Sequence, residues 1–369
     1  MSIEQSQPQR VVRTKVGLLG VNHPHARAHL RTLELLDEVV SIAAWDEGEI
    51  VLEMLNKENR PKLETSRTTL ETILNRSDIQ IVVCLGQNNR NPDLLIRAAG
   101  AGKHILTEKP VAASSRDLKR VLSTIRHAGV HLGVFSTWRQ NPIARDIRAL
   151  IEHGAIGRIM TIEARMVTSQ VQFRDPTHWL FKKSIAGGGI LSWLGCHWID
   201  LIRYITQDEV ESVAAMVGTL NGVAIDVEDT ATTLMRMKSG AIASLHAGYL
   251  LSMSEAGYTS GSYDTYLSFR GLKGQITWYP TEPETPIIVE TTAPGWRTTP
   301  RRELKYTLAH SDAYGGLYGL EFVRQFIVSA MRKEPPPAAG ENALKNLQII
   351  EAAYQSNAHG RFIKVEDQE

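Results

Sequence analysis

From Thr14 to about Ser136, short apolar runs alternate with stretches of helical periodicity. KVGLLGV, VVSIAAW, IQIVVCL, HILT and HLGVF read as buried strands. Between them, ARAHLRTLELL and PDLLIRAAGAG repeat their apolar residues at helical spacing. The second has Asn91 as its expected cap, Pro92 in its first turn and glycines at its end. This alternation predicts a doubly wound parallel sheet, whose ligands bind beyond the carboxyl ends of the strands.

After residue 140 the pattern changes. The helix-like PIARDIRALIEHGAIG leads into TIEARMVTSQ, VESVAAMVGTL, TATTLMRMKSG, AIASLHAGYLL, TYLSFRG and IIVETTA, several of them joined at KSG or GLKG turns. A mostly antiparallel sheet follows. Two helices, near Leu317–Arg332 and Glu341–His359, flank the breaker EPPPAAG. The expected organisation is a tail over 1–13, a Rossmann-type domain over 14–137 and an α+β domain with a large open sheet over 138–369.

Composition narrows the partners. Lys plus Arg is 41 and Asp plus Glu is 40 in 369 residues, for a net charge of +1. This balance gives no electrostatic support for nucleic acid or an anionic membrane as a partner. The polar start MSIEQSQPQRVV and the lack of an 18-residue apolar run predict neither a secretory leader nor a membrane helix. Cys84 and Cys196 lie far apart in apolar surroundings without metal-ligand spacing, as expected of a cytoplasmic protein.

GLLGVNHPHARAHL departs from the dinucleotide fingerprint G-x-G-x-x-G, because only Gly20 stands in the turn. Asn22 can replace the second glycine, since Asn tolerates positive φ, and it can cap a helix opened by Pro24. Ala26 then supplies the small third position. Asp46 ends the second strand, 26 residues after Gly20, where an acid accepts hydrogen bonds from an adenosine ribose and repels a 2′-phosphate. NAD is therefore expected in preference to NADP. His23, His25 and His29 sit on a short strand-to-helix loop with no adjoining carboxylate or cysteine, so loop and phosphate contacts are expected rather than a metal.

The string GKHILTEKPVAAS, with the altered fingerprint, resembles the glucose–fructose oxidoreductase / inositol dehydrogenase / rhizopine-catabolism (Gfo/Idh/MocA) family. GVFSTWRQNPIARDIRALIEHGAIGRI, AGGGILSWLGCHWIDLIRYI and the C-terminal GLEFVRQFIVSAMRKEPPPAAGENALKNLQIIEAAY extend the resemblance from Thr14 to Val365. It implies bound NAD(P), carbohydrate or cyclitol substrates, and homodimers or homotetramers built on the open sheet. It also implies that Glu108 and Lys109 lie by the nicotinamide, that Asn88 occupies the family's T-P-N asparagine position, and that His197 is the catalytic histidine. Chemistry agrees for Lys109: a cation steadies the oxyanion of a hydroxyl that is losing hydride and proton.

ILSWLGCHWIDLIRYI separates into a core stripe (Leu191, Leu194, Trp198, Leu201, Ile205) and a second stripe of Trp193, His197, Asp200 and Tyr204. The family usually has an aspartate where this chain has Trp193. Asp200 is then the candidate to orient His197, and Trp193 a candidate wall for a sugar ring. Trp138, Arg139, Arg174, His178, Trp179, Lys182 and Lys183 form a candidate entrance able to grip an anionic sugar. Three functions are compatible: a sugar or cyclitol dehydrogenase, a redox-neutral NAD-dependent glycosidase, and a non-catalytic sensor.

Overall fold

The computed structural model describes residues 12–64, 69–252 and 263–365. Residues 1–11 of the expected tail lie outside them. The first sheet contains β1 (Thr14–Leu19), β2 (Val39–Trp45), β3 (Leu63–Glu64), β4 (Ile79–Cys84), β5 (His104–Thr107) and β6 (Leu132–Val134). All are parallel, in the order β3-β2-β1-β4-β5-β6. The order reverses between β1 and β4, which opens a crevice beyond their carboxyl ends. Val16, Leu18, Ile81 and Val83 are buried in the core on one side of the sheet, Leu19, Val82 and Cys84 on the other. That two-sided burial explains why these strands read as continuous apolar runs.

The second sheet has nine strands: β7 (Ile159–Ser169), β8 (Val210–Gly218), β9 (Thr230–Met237), β10 (Ile242–Leu251), β11 (Tyr263–Gly271), β12 (Gly274–Trp278), β13 (Ile287–Thr291), β14 (Arg301–Leu304) and β15 (Ile363–Lys364). Their order is β14-β13-β12-β11-β7-β10-β9-β8-β15, and β7 with β10 is the parallel pair in an otherwise antiparallel sheet. In β9, Ala231, Thr233, Met235 and Met237 turn inward while Thr232, Leu234 and Arg236 turn out. Helices Pro142–Glu152, Cys196–Thr206 and Gly340–His359 share a core with that inner face. Helix Pro142–Glu152 starts where it does because the Asn141 side chain accepts from the Ile143 N–H and Pro142 occupies the first turn.

The last two helices tie the sheets together. Phe322 and Phe326 of helix Gly316–Arg332 join the core of the first sheet, as do Leu344 and Leu347 of helix Gly340–His359. Among the described residues one helical stretch, Lys183–Thr206, is long and apolar enough to cross a membrane, but 83% of its apolar window is buried. It is a core helix.

Candidate functional site

The loops leaving β1, β4 and β5 converge on the start of the helical stretch Leu191–Thr206. Gly20 adopts φ +94°, and a Cβ there would lie 2.6 Å from the Leu85 carbonyl oxygen, so the β1 and β4 loops can cross only at a glycine. The positive φ falls at Gly20, and Asn22 is not among the left-handed residues. Nor does Asn22 or Pro24 open the helix, which begins at Ala26 with no side-chain cap. The reason is local: the His25 N–H donates to His23 Nδ1 across 3.2 Å, a turn that delays the helix past His25. Ala26 is buried, as the small third position requires. Asp46 Oδ2 accepts from the Asn22 N–H at 2.8 Å and Oδ1 from the Gly48 N–H at 2.8 Å. An uncapped helix N-terminus behind a glycine, with a carboxylate fixed at the end of β2, fits the pyrophosphate and ribose of a dinucleotide.

Behind this loop lies a buried polar cluster. Glu108 Oε1 is 2.9 Å from His25 Nδ1 and 2.7 Å from His29 Nε2, and Oε2 accepts from the Lys109 N–H. Burial opposes ionisation of Glu108, but the two imidazoles hold its carboxyl well below the usual range. Burial in turn lowers His29, and pushes His23 down to about 3. The Tyr314 hydroxyl lies 3.1 Å from His25 Nδ1. Tyr314 was not legible in the sequence, because it sits in the aperiodic SDAYGG segment. Asn91, expected as a cap, is the first helical residue; its side chain instead bonds Gly86, Thr107 and Val111 and so clasps the β4 and β5 loops together.

The stretch Leu191–Gly195 is a π-helical turn continuing into the α-helix Cys196–Thr206. Lys109 Nζ donates to the Trp193 carbonyl at 2.8 Å and stands 3.8 Å from the centre of the Trp193 ring. The start of this stretch is pinned by Glu228, whose carboxylate accepts from the Gly189 N–H, the Leu191 N–H and the Tyr354 hydroxyl. At Gly189 a Cβ would collide with the Glu228 carbonyl at 1.9 Å. The three glycines of AGGG hinted at such close approach; Glu228 carried no signal of its own.

Lys109, His197, His25 and Trp138 line one cleft of about 910 Å³. Burial first, and Lys109 second, push His197 down to about 3. Asp200 does not orient it. The Asp200 carboxylate takes two bonds from Arg139, at 2.8 and 2.7 Å, and one from Asn346 at 3.1 Å. Arg139 and Asp200 thus neutralise each other within the helix packing and are not presented to a substrate. Trp193 is not a wall of the cleft either. It is only 3% exposed, wedged among Lys109, His23, His25 and Trp179. Its indole Nε1 is buried without a hydrogen-bond partner among the described residues.

The anionic-sugar entrance does not assemble. Arg174 turns to Thr168 and Ser169, His178 Nδ1 accepts from the Leu180 N–H, and Lys182 and Lys183 are exposed; none lines the cleft. Asn88 is buried and donates to the Ala186 carbonyl at 2.8 Å, joining the β4 loop to the second domain. Pro24 and Asn22 are exposed at the loop tip.

Comparison with known proteins agrees with this architecture. Residues 14–136 match the family described as "Oxidoreductase family, NAD-binding Rossmann fold", and residues 144–277 match the "GFO/IDH/MocA C-terminal domain". The chain is 27% identical to a myo-inositol 2-dehydrogenase of Thermotoga maritima over 359 residues, covering 96% of this chain and 99% of the relative. It is 30% identical over 207 residues to a levoglucosan dehydrogenase of Pseudarthrobacter phenanthrenivorans, a match spanning 50% of this chain and 53% of that one. Among solved structures, a levoglucosan dehydrogenase in complex with NADH and L-sorbose superposes with a TM-score of 0.83 at 21% identity, covering 96% and 99% of the two chains. GenD2 from gentamicin A biosynthesis, in complex with NAD, gives 0.79 at 21% identity over 99% and 100%.

Proposed function

Because the chain belongs to the Gfo/Idh/MocA family of NAD-binding oxidoreductases, we propose that it oxidises a hydroxyl of a neutral sugar or cyclitol. The observation that carries this reading is that Lys109 and His197 open into one cleft where, among the described lining residues, Lys109 is the sole lysine or arginine. NAD, when bound, accepts the hydride. Gly20, the uncapped first turn of the helix at Ala26 and Asp46 would hold it. Lys109, with its ammonium fixed by the Trp193 carbonyl, steadies the oxyanion that forms as the hydroxyl loses its proton. His197 stays neutral and hydrogen-bonds the same oxygen. Trp138, half-buried in the cleft wall against Trp198 and Trp278, offers the ring face on which a sugar stacks.

A neutral substrate is favoured because the arginine and lysines that would grip an anion stand off the cleft. The same fact removes the support for cleavage of an anionic glycoside. The names of the relatives, which act on myo-inositol and levoglucosan, support a neutral polyol. The test incubates the protein and NAD with a panel of sugars, inositols, anhydrosugars and aryl glycosides, reading NADH absorbance and released aglycone together. Net NADH with a polyol is expected. Aglycone release without net NADH would replace the dehydrogenase by the redox-neutral enzyme, and silence in both channels would leave the sensor.

A further inference from the structure

Three tyrosines of the cleft, Tyr306, Tyr314 and Tyr318, stand between β14 and the first turn of helix Gly316–Arg332. Two of their hydroxyls are engaged: Tyr306 donates to Asp146 at 2.7 Å, and Tyr314 lies 3.1 Å from His25 Nδ1. The Tyr318 hydroxyl has no hydrogen-bond partner among the described residues, yet it is not sealed in the core as the Trp193 and Trp198 indole nitrogens are. We infer that Tyr318 donates this hydroxyl to a ring hydroxyl of the polyol lying on Trp138, and so selects among substrates. This rests on the oxidoreductase reading above and names a residue that recognises its substrate.

The backbone holds Tyr318 beside Trp138. Their ring centres are 5.7 Å apart and their planes are tilted by 34°. Trp138 is itself fixed edge-on by Trp198 and Trp278. Gly315 and Gly316 take φ +74° and +69°, which turns the chain into the helix next to the Thr137–Gln140 turn that carries Trp138. A Cβ at Gly315 would lie 3.2 Å from Thr137 Oγ1, and one at Gly319 would lie 1.8 Å from the Tyr314 carbonyl oxygen. The glycines on both sides of Leu317–Tyr318 therefore bring this turn closer than a side chain would allow. Gln140 Nε2 donates to Gln325 Oε1 at 2.7 Å and ties the same two segments further along the helix. Tyr318 and Trp138 thus meet the substrate as one rigid unit.

Burial raises the Tyr318 phenol to about 12, so it keeps its proton and acts as a neutral donor. A phenol also accepts, which suits a hydroxyl that both gives and takes a hydrogen bond. A sugar or cyclitol lying on an indole carries its hydroxyls around the rim of the stack, where a neighbouring phenol meets them. A polyol that lacks the matching hydroxyl leaves the phenol unpaired once water is excluded, and is disfavoured for that reason. A ring that served only to pack against Trp138 would work equally well as phenylalanine.

The test pairs Tyr318→Phe with single-deoxy analogues of the polyol on which the panel gives the highest kcat/KM. The variant keeps the ring, so it should melt with the wild-type protein. On the parent polyol it should lose roughly threefold to tenfold in kcat/KM, the worth of one neutral hydrogen bond. On one deoxy analogue the wild type and the variant should be equal, because the group that the phenol meets is gone. Equal kcat/KM on the parent polyol would overturn the inference. The same loss on every analogue would also overturn it, and would mark Tyr318 as a packing residue. If the wild-type protein oxidises no polyol, the oxidoreductase reading fails by itself, and the same cycle is run on Kd by calorimetry with the NADH-loaded protein. An NADH-loaded protein that binds no polyol overturns the Tyr318 assignment as well.

Discussion

Removing the Asp200 carboxylate should damage the fold far more than the chemistry. Asp200 and Arg139 are 4% and 11% exposed at their side chains and share a bidentate pair, with Asn346 completing the carboxylate's shell. Asp200→Ala leaves the guanidinium buried without a counter-ion. Breaking a buried pair on one side costs about 3–5 kcal/mol. For a domain of this size that is on the order of 10 °C in Tm. Burial opposes ionisation of Asp200, but Arg139 wins and holds its carboxyl below the usual value. The pair therefore contributes fully above the unfolded carboxylate range and loses its contribution as pH falls through the lower, folded value. Differential scanning fluorimetry of Asp200→Ala, Arg139→Met and the Asp200→Leu/Arg139→Met double variant checks this. The single variants should melt early and the double variant should recover most of the loss, because an apolar pair leaves no orphan charge. An Asp200→Ala protein with unchanged Tm and a hundredfold loss of turnover would refute the reasoning and return Asp200 to the catalytic site.

Asp46→Ala should weaken NAD more than NADP in calorimetric titrations, and tighter binding of NADP than NAD by the unaltered protein would contradict the assigned ribose contact. Trp193→Phe keeps the ring over Lys109 and removes an indole N–H that lies off the cleft, so KM and kcat should both stay within about threefold; a rise in KM of roughly tenfold would show that this N–H meets a bound ligand. His23 and His197 are both held near 3 when folded and regain 6.5 when unfolded, so the unfolded chain binds more protons between these values. Tm should therefore fall steadily as pH drops below about 6.5, and less steeply in His23→Gln. Met216, Leu234 and Ile242, exposed by 81, 47 and 50%, lie on the uncovered side of β8, β9 and β10. We propose that a second subunit covers them, and Leu234→Glu should lower the mass seen by light scattering; a monomer at micromolar concentration before substitution would oppose it.

Periodicity revealed the elements that bury one continuous face. β1, β4 and the helix with Leu194, Trp198 and Leu201 are such cases, since their apolar spacing is their packing. It missed β14, because RREL is a charged edge strand whose pairing leaves no apolar trace, and β12, whose GQITW is only five residues long. Within the site, Lys109 and His197 were legible through the motifs around them. The partners of Asp200 were not: Arg139 and Asn346 lie 61 and 146 residues away, and spacing along a helix cannot tell whether an acid meets a histidine or an arginine from elsewhere. The basic entrance failed for the same reason, since Arg174 and Lys183 are close in sequence to the cleft's residues but do not line it.

The tryptophan at 193 and the histidines at 23, 25 and 29 are best understood as one arrangement of charge. Lys109 and Glu108 put one positive and one negative charge into a buried volume, and the imidazoles of His23 and His29, lowered by burial, add hydrogen bonds without adding charge. An aspartate at 193 would put a second carboxylate beside Glu108, where like charges close together in a low dielectric cannot both ionise. Either the introduced carboxylate would hold a proton, or one of the lowered histidines would have to gain one against burial. A tryptophan avoids both: its carbonyl and ring face hold the Lys109 ammonium, and its side chain carries no charge. Trp193→Asp should therefore lower stability and leave the native reaction no faster, although it supplies the aspartate that the family resemblance implies at this position. A faster Trp193→Asp enzyme with an undiminished Tm would show that the carboxylate had simply been lost, and that the histidine cluster does not stand in its place.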